Sequence, residues 1–190
     1  LMEDIADLVI GTGVQQPSDL FYKLEQKTHI RALQCGEWGP FNHVIAGLDI
    51  AIHDLFARRA GVPVRFLLNP KASDYVPAYA SGIHINAADR LIEQSRTEGF
   101  RAFKVKVGFN INSDISKLRK LAATIRSGEK LFADANQAWD VETALFFING
   151  VQECNLGWLE EPIPADSRPV EWQHLSSETA VPIAGGENIS

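Results

Sequence analysis

Four ionisable residues recur at an almost constant interval through the second half of the chain. They are Lys106, Asp134, Glu160 and Glu187, and the intervals between them are 28, 26 and 27 residues. Three carboxylates that converge on one point repel one another unless a hard divalent cation joins them, and ligands that are all oxygen favour Mg²⁺ over zinc. The spacing therefore predicts a Mg²⁺ site formed by Asp134, Glu160 and Glu187. The alternative is three unrelated, solvated acids in loops.

The stretch FRAFKVKVGF, residues 100–109, places two lysines inside an otherwise apolar, strand-like segment. Side chains alternate between the faces of a strand, so Lys104 and Lys106 point to one side while Phe103 and Val105 point to the other. A partly desolvated lysine beside a second cation has a lowered pKa and can act as a neutral general base. One of these lysines is therefore a candidate base. The alternative is a structural pair that neutralises the acids.

The elements that would position these residues differ between the two parts of the chain. Residues 1 to about 70 have the apolar spacing of helices, with Ser18 predicted to cap one helix and Gly61 to end the strongest one. From Tyr75 onward, short apolar runs of strand length alternate with helix-like segments. The strand-like runs are YVPAYASGI, RAFKVKVG, KLFADAN, GWLEEP and VPIAGGEN.

Strict alternation of strands and helices predicts an α/β fold with a parallel sheet covered by helices. A repeat of this length returns a charged side chain to the rim where the strands end, which is where (β/α)₈ barrels place their active sites. Residues 71–190 are therefore predicted to form the first five strands of a partial (β/α)₈ TIM-type barrel. An open doubly wound sheet also alternates, but it would not bring four consecutive strand ends around one point.

The motifs KVK, DANQAW, EEP and GEN occur in this order and resemble the enolase superfamily, in particular its mandelate racemase/muconate lactonizing enzyme family. The resemblance covers most of the chain, because AGLDIAIHDLFARRAGVPVRFLL is similar to the segment that links the family's α+β capping domain to its barrel. It implies that residues 1–70 are the helical part of that capping domain. Two departures concern packing and a loop: His53 replaces the usual Trp before Asp54, and Asn69-Pro70 stands where the family has Gly-Gly.

The resemblance assigns roles by position. Lys106 matches the base that removes the proton α to a carboxylate, and Lys104 matches the residue that orients this carboxylate and lowers the pKa of its neighbour. The family's metal ligands match Asp134, Glu160 and Glu187.

Residues that flank the metal-ligand motifs are assigned by strand alternation. Asn136 lies two residues after Asp134, hence on the same face if the strand continues, and is a candidate substrate-binding amide. Glu161 alternates to the opposite face and is expected either to support the metal ligands through hydrogen bonds or to be structural. Trp158 is expected to be a packing residue.

The resemblance implies Mg²⁺-dependent abstraction of the proton α to a carboxylate, which gives an enediolate. The Glu of GEN is similar to the racemase and acid-sugar dehydratase branch, so the favoured function is a lyase that dehydrates an aldonate or aldarate to a 2-keto-3-deoxy acid. One alternative is a racemase or epimerase of a 2-hydroxy acid. The other is a non-catalytic, truncated barrel fragment. The family's second acid/base, an Asp-His dyad on later strands, does not occur in this chain.

Composition and charge argue against nucleic acid and membranes as partners, and the resemblance implies a small-molecule carboxylate as the substrate. The 190 residues carry a formal net charge of −6. The sequence has no basic stripe that would bind nucleic acid, and its negative net charge would repel an anionic membrane. No apolar run approaches the roughly 20 residues of a membrane span. The two cysteines, Cys35 and Cys154, form no CxxC motif and are expected to be reduced thiols of a cytoplasmic protein.

The ends of the chain suggest truncation. The sequence begins at Leu1 and ends at Ser190, directly after the fifth strand-like run. An open fifth strand is an aggregation liability. We therefore expect further residues or a partner to cover this edge. We also expect the protein to form a homo-oligomer.

Overall fold

The computed structural model describes residues 2–188, with side chains from residue 5 onward, and divides into two units, residues 1–76 and 77–190. Within residues 2–76, all of the regular secondary structure is helical. The helices are α1 (Met2–Val9), α2 (Pro17–Cys35), α3 (Trp38–Ala60) and α4 (Val64–Leu68). Within residues 2–188, none of the helices has the length and apolarity needed to span a membrane.

The predicted cap of α2 is wrong by two positions. The capping residue is Gln16 rather than Ser18, and Pro17 occupies the first helical turn, where a missing N–H costs nothing. The Asp19 carboxylate accepts a hydrogen bond from the Gln16 N–H at 3.0 Å. The predicted end of α3 is confirmed, because Gly61 follows its last residue with a φ of +68° that suits glycine.

Within residues 77–188, the second unit consists of five parallel strands separated by helices. The strands are β1 (Ala80–His84), β2 (Ala102–Lys106), β3 (Lys130–Asp134), β4 (Leu159–Glu160) and β5 (Ile183–Ala184). The helices are α5 (Ala88–Thr97), α6 (Ile111–Ala122), α7 (Val141–Gly150) and α8 (Pro169–Ser177), joined by short 3₁₀ turns at Ile85–Ala87 and Gln152–Cys154. The strand order follows the chain order without reversal. This is the topology of a (β/α) barrel rather than of a doubly wound sheet, as predicted.

The first strand is shorter than its apolar run. The run begins at Tyr75, but pairing with β2 begins only at Ala80. Pro77 lies in the part that does not pair, and proline has no N–H to contribute to a strand ladder.

The two faces of the sheet have different chemistry. On the outer face, Phe103 and Val105 of β2 are fully buried in the main apolar core beneath the helices, together with Leu118 of α6 and Phe147 of α7. The inner face carries the lysines and acids. Because side chains alternate along each strand, burial of the outer set forces the polar set to the inside.

A buried ion pair joins α5 to the turn before β3. The Arg96 guanidinium donates to Glu129 Oε1 at 2.9 Å and to Oε2 at 2.6 Å, and also to the Thr124 carbonyl at 3.0 Å. The side chains of Arg96 and Glu129 are only 5% and 3% exposed. The Arg96 hydrogen bonds lower the pKa of Glu129, so this stabilisation is present above the ordinary pKa of a glutamate and is lost as the pH falls through the lowered value.

We expect Glu129→Gln to lower the free energy of unfolding of the full-length protein by about 3 kcal/mol at pH 7, because Arg96 then remains buried without this counter-charge. Denaturant unfolding measures the change. The control is Asp54→Asn, which removes the partner of Arg58 from an exposed pair on α3 and should leave stability nearly unchanged. Equal effects of the two substitutions would contradict a special stabilising role of the buried Arg96–Glu129 pair.

Candidate active site

Ionisable side chains end three neighbouring strands at the same height. The parallel register pairs Lys106 with Asp134 and Asp134 with Glu160, and these are the last residues of β2, β3 and β4. Neighbouring strands lie about 4.8 Å apart, so long side chains of this row can contact one another. Two residues deeper in β2, Lys104 lies on the same inner face.

The ammonium of Lys104 joins two of these acids. Its Nζ lies 2.6 Å from Glu160 Oε1 and 3.1 Å from Asp134 Oδ2, and its side chain is 8% exposed. Burial alone would lower the pKa of Lys104, but the hydrogen bonds with Glu160 and Asp134 outweigh burial and raise the pKa above its ordinary value. Lys104 is therefore a fixed positive charge, as a residue that attracts a carboxylate must be.

Lys106 lies nearer to solvent, with 29% of its side chain exposed. Its Nζ donates to Asp134 Oδ2 at 2.7 Å and to Asn136 Oδ1 at 2.6 Å. Asn136 has a φ of +45° and donates its own N–H to Asp134 Oδ1 at 3.0 Å. The structure thus places Asn136 beside Lys106 at the end of β3, although the chain has turned out of the strand conformation there.

Asp134 is the most enclosed acid of the row, with 1% of its side chain exposed. Burial raises the pKa of Asp134, but hydrogen bonds from Lys106, from the Asn136 N–H and from Lys104 lower it by more. Asp134 is therefore held as a carboxylate.

Glu187 does not share this row. The register partner of Glu160 on β5 is Ala184, and Glu187 follows three residues later, exposed to solvent. Its Oε1 accepts a hydrogen bond from Asn188 Nδ2 at 3.3 Å. Among residues 2–188, no three His, Cys, Asp or Glu side chains lie close enough together to hold a metal ion. Metal ligation by Asp134, Glu160 and Glu187 stays a prediction.

Glu161 follows the last residue of β4 and is held by Asn188. It is 2% exposed with a φ of +41°, and both of its oxygens accept a hydrogen bond from Asn188 Nδ2, at 3.1 and 3.0 Å. Glu161 thus connects the end of β4 to the segment that carries Glu187.

Trp158 is the site residue that sequence patterns missed. Its indole N–H donates to Glu160 Oε2 at 3.2 Å. The available signal was its position two residues before Glu160, which places both side chains on one face. An aromatic residue in an apolar segment predicts packing, because the sequence does not show the partner of the indole N–H.

Comparison with known proteins gives a consistent family. Residues 87–190 match the family model described as enolase C-terminal domain-like. The chain is 32% identical over 195 residues to the L-talarate/galactarate dehydratase of Salmonella typhimurium, covering 99% of this chain and 47% of that protein.

Two solved structures share the fold. A mandelate racemase/muconate lactonizing enzyme from Bordetella bronchiseptica has a TM-score of 0.92 at 39% identity, covering 97% of this chain and 50% of that one. A racemase from Streptomyces coelicolor with bound magnesium has a TM-score of 0.88 at 28% identity, covering 98% and 56%. The chain spans about half the length of the relatives it matches.

We expect Lys104→Met to reduce the stability of the full-length protein by about 2 kcal/mol or more at pH 7, because Asp134 and Glu160 then face each other without the ammonium. The sign of the pH dependence follows from Asp134. Its lowered pKa makes it stabilising above the ordinary value of about 4 in the native protein. Loss of Lys104 removes one of the hydrogen bonds that lower this pKa, while those from Lys106 and from the Asn136 N–H remain, so the pKa of Asp134 is lowered less in the variant.

The stability difference between the two proteins should therefore grow as the pH rises from about 3 to about 5, the range in which such a carboxyl group ionises. Denaturant unfolding at each pH measures the difference. Lys130→Met, at the exposed start of β3, is the matched control and should show a small difference that does not change with pH. A Lys104→Met difference that stayed constant with pH would contradict the bridging role.

Proposed function

Since the chain belongs to the enolase C-terminal domain-like family of the enolase superfamily, we propose that it carries the Mg²⁺ site and one base of an enzyme that removes the proton α to a carboxylate. One observation carries the proposal. Two lysines of β2 and the acids that end β3 and β4 lie in direct contact on the inner face of the sheet. This is the set of charges that the reaction requires.

The donor set fits a hard divalent cation. Asp134 and Glu160 already share one cation, the Lys104 ammonium, so their oxygens converge on a position that attracts positive charge. Mg²⁺ would be held by these two carboxylates together with Glu187, and all three offer the oxygen ligands it prefers. When bound, it supplies positive charge for the enediolate oxygens that develop as the α-proton leaves. The racemase from Streptomyces coelicolor, which shares the fold, contains magnesium.

The two lysines divide the work of binding and proton transfer. Lys104, enclosed and permanently charged, attracts and orients the substrate carboxylate. Lys106, more exposed and next to Asn136, is the base: its neutral amine takes the α-proton, and the electrons of the broken C–H bond form the enediolate. A net-acidic protein can thus bind an acidic substrate, because the local field of the site opposes the overall charge.

The proposed substrate is a sugar acid, an aldonate or aldarate. After proton abstraction the enediolate electrons form the new C=C bond and expel the β-hydroxyl, which leaves as water with a proton from a general acid outside this chain. The resulting enol then moves its proton to carbon and becomes a 2-keto-3-deoxy acid. Support comes from the L-talarate/galactarate dehydratase, which is similar to nearly the whole chain. The second candidate is a racemase or epimerase of a 2-hydroxy acid, favoured by the similarity to the Streptomyces coelicolor racemase. The two reactions share every step up to the enediolate.

We expect Lys106→Ala in the full-length protein to reduce the rate at which the substrate α-proton exchanges with D₂O by about 10³-fold or more, because the base is lost. Proton NMR with a panel of aldonates and aldarates in the presence of Mg²⁺ measures the exchange. The same spectra distinguish the candidates, since dehydration gives a keto acid and racemisation keeps the hydroxyl.

Lys130→Ala, which removes an exposed lysine from the start of β3, is the matched control and should exchange at the normal rate. Lys106→Ala should still bind Mg²⁺, which separates loss of the base from loss of the site. Undiminished exchange in Lys106→Ala would exclude Lys106 as the base. Absence of exchange and of Mg²⁺ binding in the unsubstituted protein would instead favour a non-catalytic barrel.

A further inference from the structure

The two oxygens of the Glu160 carboxylate have different partners. Oε1 accepts from Lys104 Nζ at 2.6 Å, on the side where Asp134 also lies. Oε2 accepts from the indole N–H of Trp158 at 3.2 Å. One oxygen therefore faces the acids, and the other is held back by a neutral donor on the same strand segment.

Aromatic contacts fix the indole that makes this hydrogen bond. The Phe132 ring stacks on Trp158 with ring centres 3.6 Å apart and planes 14° from parallel. The Tyr79 ring makes T-shaped contacts with both rings, and its centre lies 5.5 Å from that of Trp158 and 5.7 Å from that of Phe132. Gly157 makes the stacking possible, because a Cβ at this position would lie 2.4 Å from the Phe132 ring. The N–H of Trp158 thus has little freedom to leave Glu160.

We propose that Trp158 restricts Glu160 to one coordinating oxygen and thereby makes the strand-end site select Mg²⁺ over Ca²⁺. Mg²⁺ demands near-octahedral geometry with short bonds, whereas Ca²⁺ takes six to eight oxygens and accepts carboxylates through both oxygens. Keeping Oε2 on the indole removes the bidentate option that Ca²⁺ would use. This role rests on the proposed Mg²⁺ site, and it makes Trp158 a positioning residue that acts through Glu160.

A packing role for Trp158 makes a different prediction. If the indole only fills space against Phe132 and Tyr79, replacing it by another aromatic ring costs stability but leaves the ratio of Mg²⁺ to Ca²⁺ affinity unchanged. The ratio therefore separates the two roles, since a general loss of order weakens both ions alike.

The test compares Trp158→Phe with the unsubstituted full-length protein in calorimetric titrations with MgCl₂ and CaCl₂. Phenylalanine keeps the aromatic stacking and removes only the N–H donor. We expect the ratio of Mg²⁺ to Ca²⁺ affinity to fall by about tenfold, the lower end of what outer-shell hydrogen bonds contribute at metal sites. Trp172→Phe, the same change on α8 among core residues, should leave the ratio unaltered.

A second measurement uses the unsubstituted protein and so does not depend on the folding of a variant. Hydrogen exchange of the Trp158 indole N–H, followed by NMR, should remain slow with Mg²⁺ and become faster with Ca²⁺, because Ca²⁺ competes for Oε2. An unchanged affinity ratio in Trp158→Phe, or equal protection with both ions, would overturn the inference alone. Failure of the unsubstituted protein to bind Mg²⁺ would overturn the proposed function as well.

Discussion

The buried ammonium of Lys104, held between two carboxylates, is the interaction on which the inner face of the sheet depends. A charge in this position is costly to remove from water and is tolerated only with close, hydrogen-bonded partners. Those partners come from two different strands, so they meet Lys104 only if β2, β3 and β4 are neighbours in a common register. The charges thus reinforce the strand order that the apolar core establishes from the other face.

The contacts between neighbouring strands also give the two lysines of β2 different environments. Lys104 is enclosed and its pKa is raised, whereas Lys106, two residues nearer the rim, contacts one acid and one amide and remains partly exposed. A spacing of two residues along a strand corresponds to about 6.6 Å, roughly the depth of one side-chain layer. One short strand therefore presents a fixed charge below and a candidate base above it, both directed to the same space.

The sequence predicted the repeating strands and the inner lysines because both depend on simple periodicities. It placed Lys106, Asp134 and Glu160 at strand ends, where the structure has them. The interval to Glu187 fits the same repeat, yet the register partner of Glu160 is Ala184. The interval predicted the wrong partner because a count of residues does not show where a strand ends. The cap of α2 was misplaced because Pro17 shifts the helix start, and the role of Trp158 was missed because its N–H partner is defined only by side-chain geometry.

The most direct test of the central claim is a crystal structure of the full-length protein grown with Mn²⁺, whose anomalous scattering locates the ion and whose ligand preference is close to that of Mg²⁺. We expect one ion at the strand ends, coordinated by oxygens of Asp134, Glu160 and Glu187. An ion bound elsewhere, or an ion at the strand ends that Glu187 does not coordinate, would contradict the account.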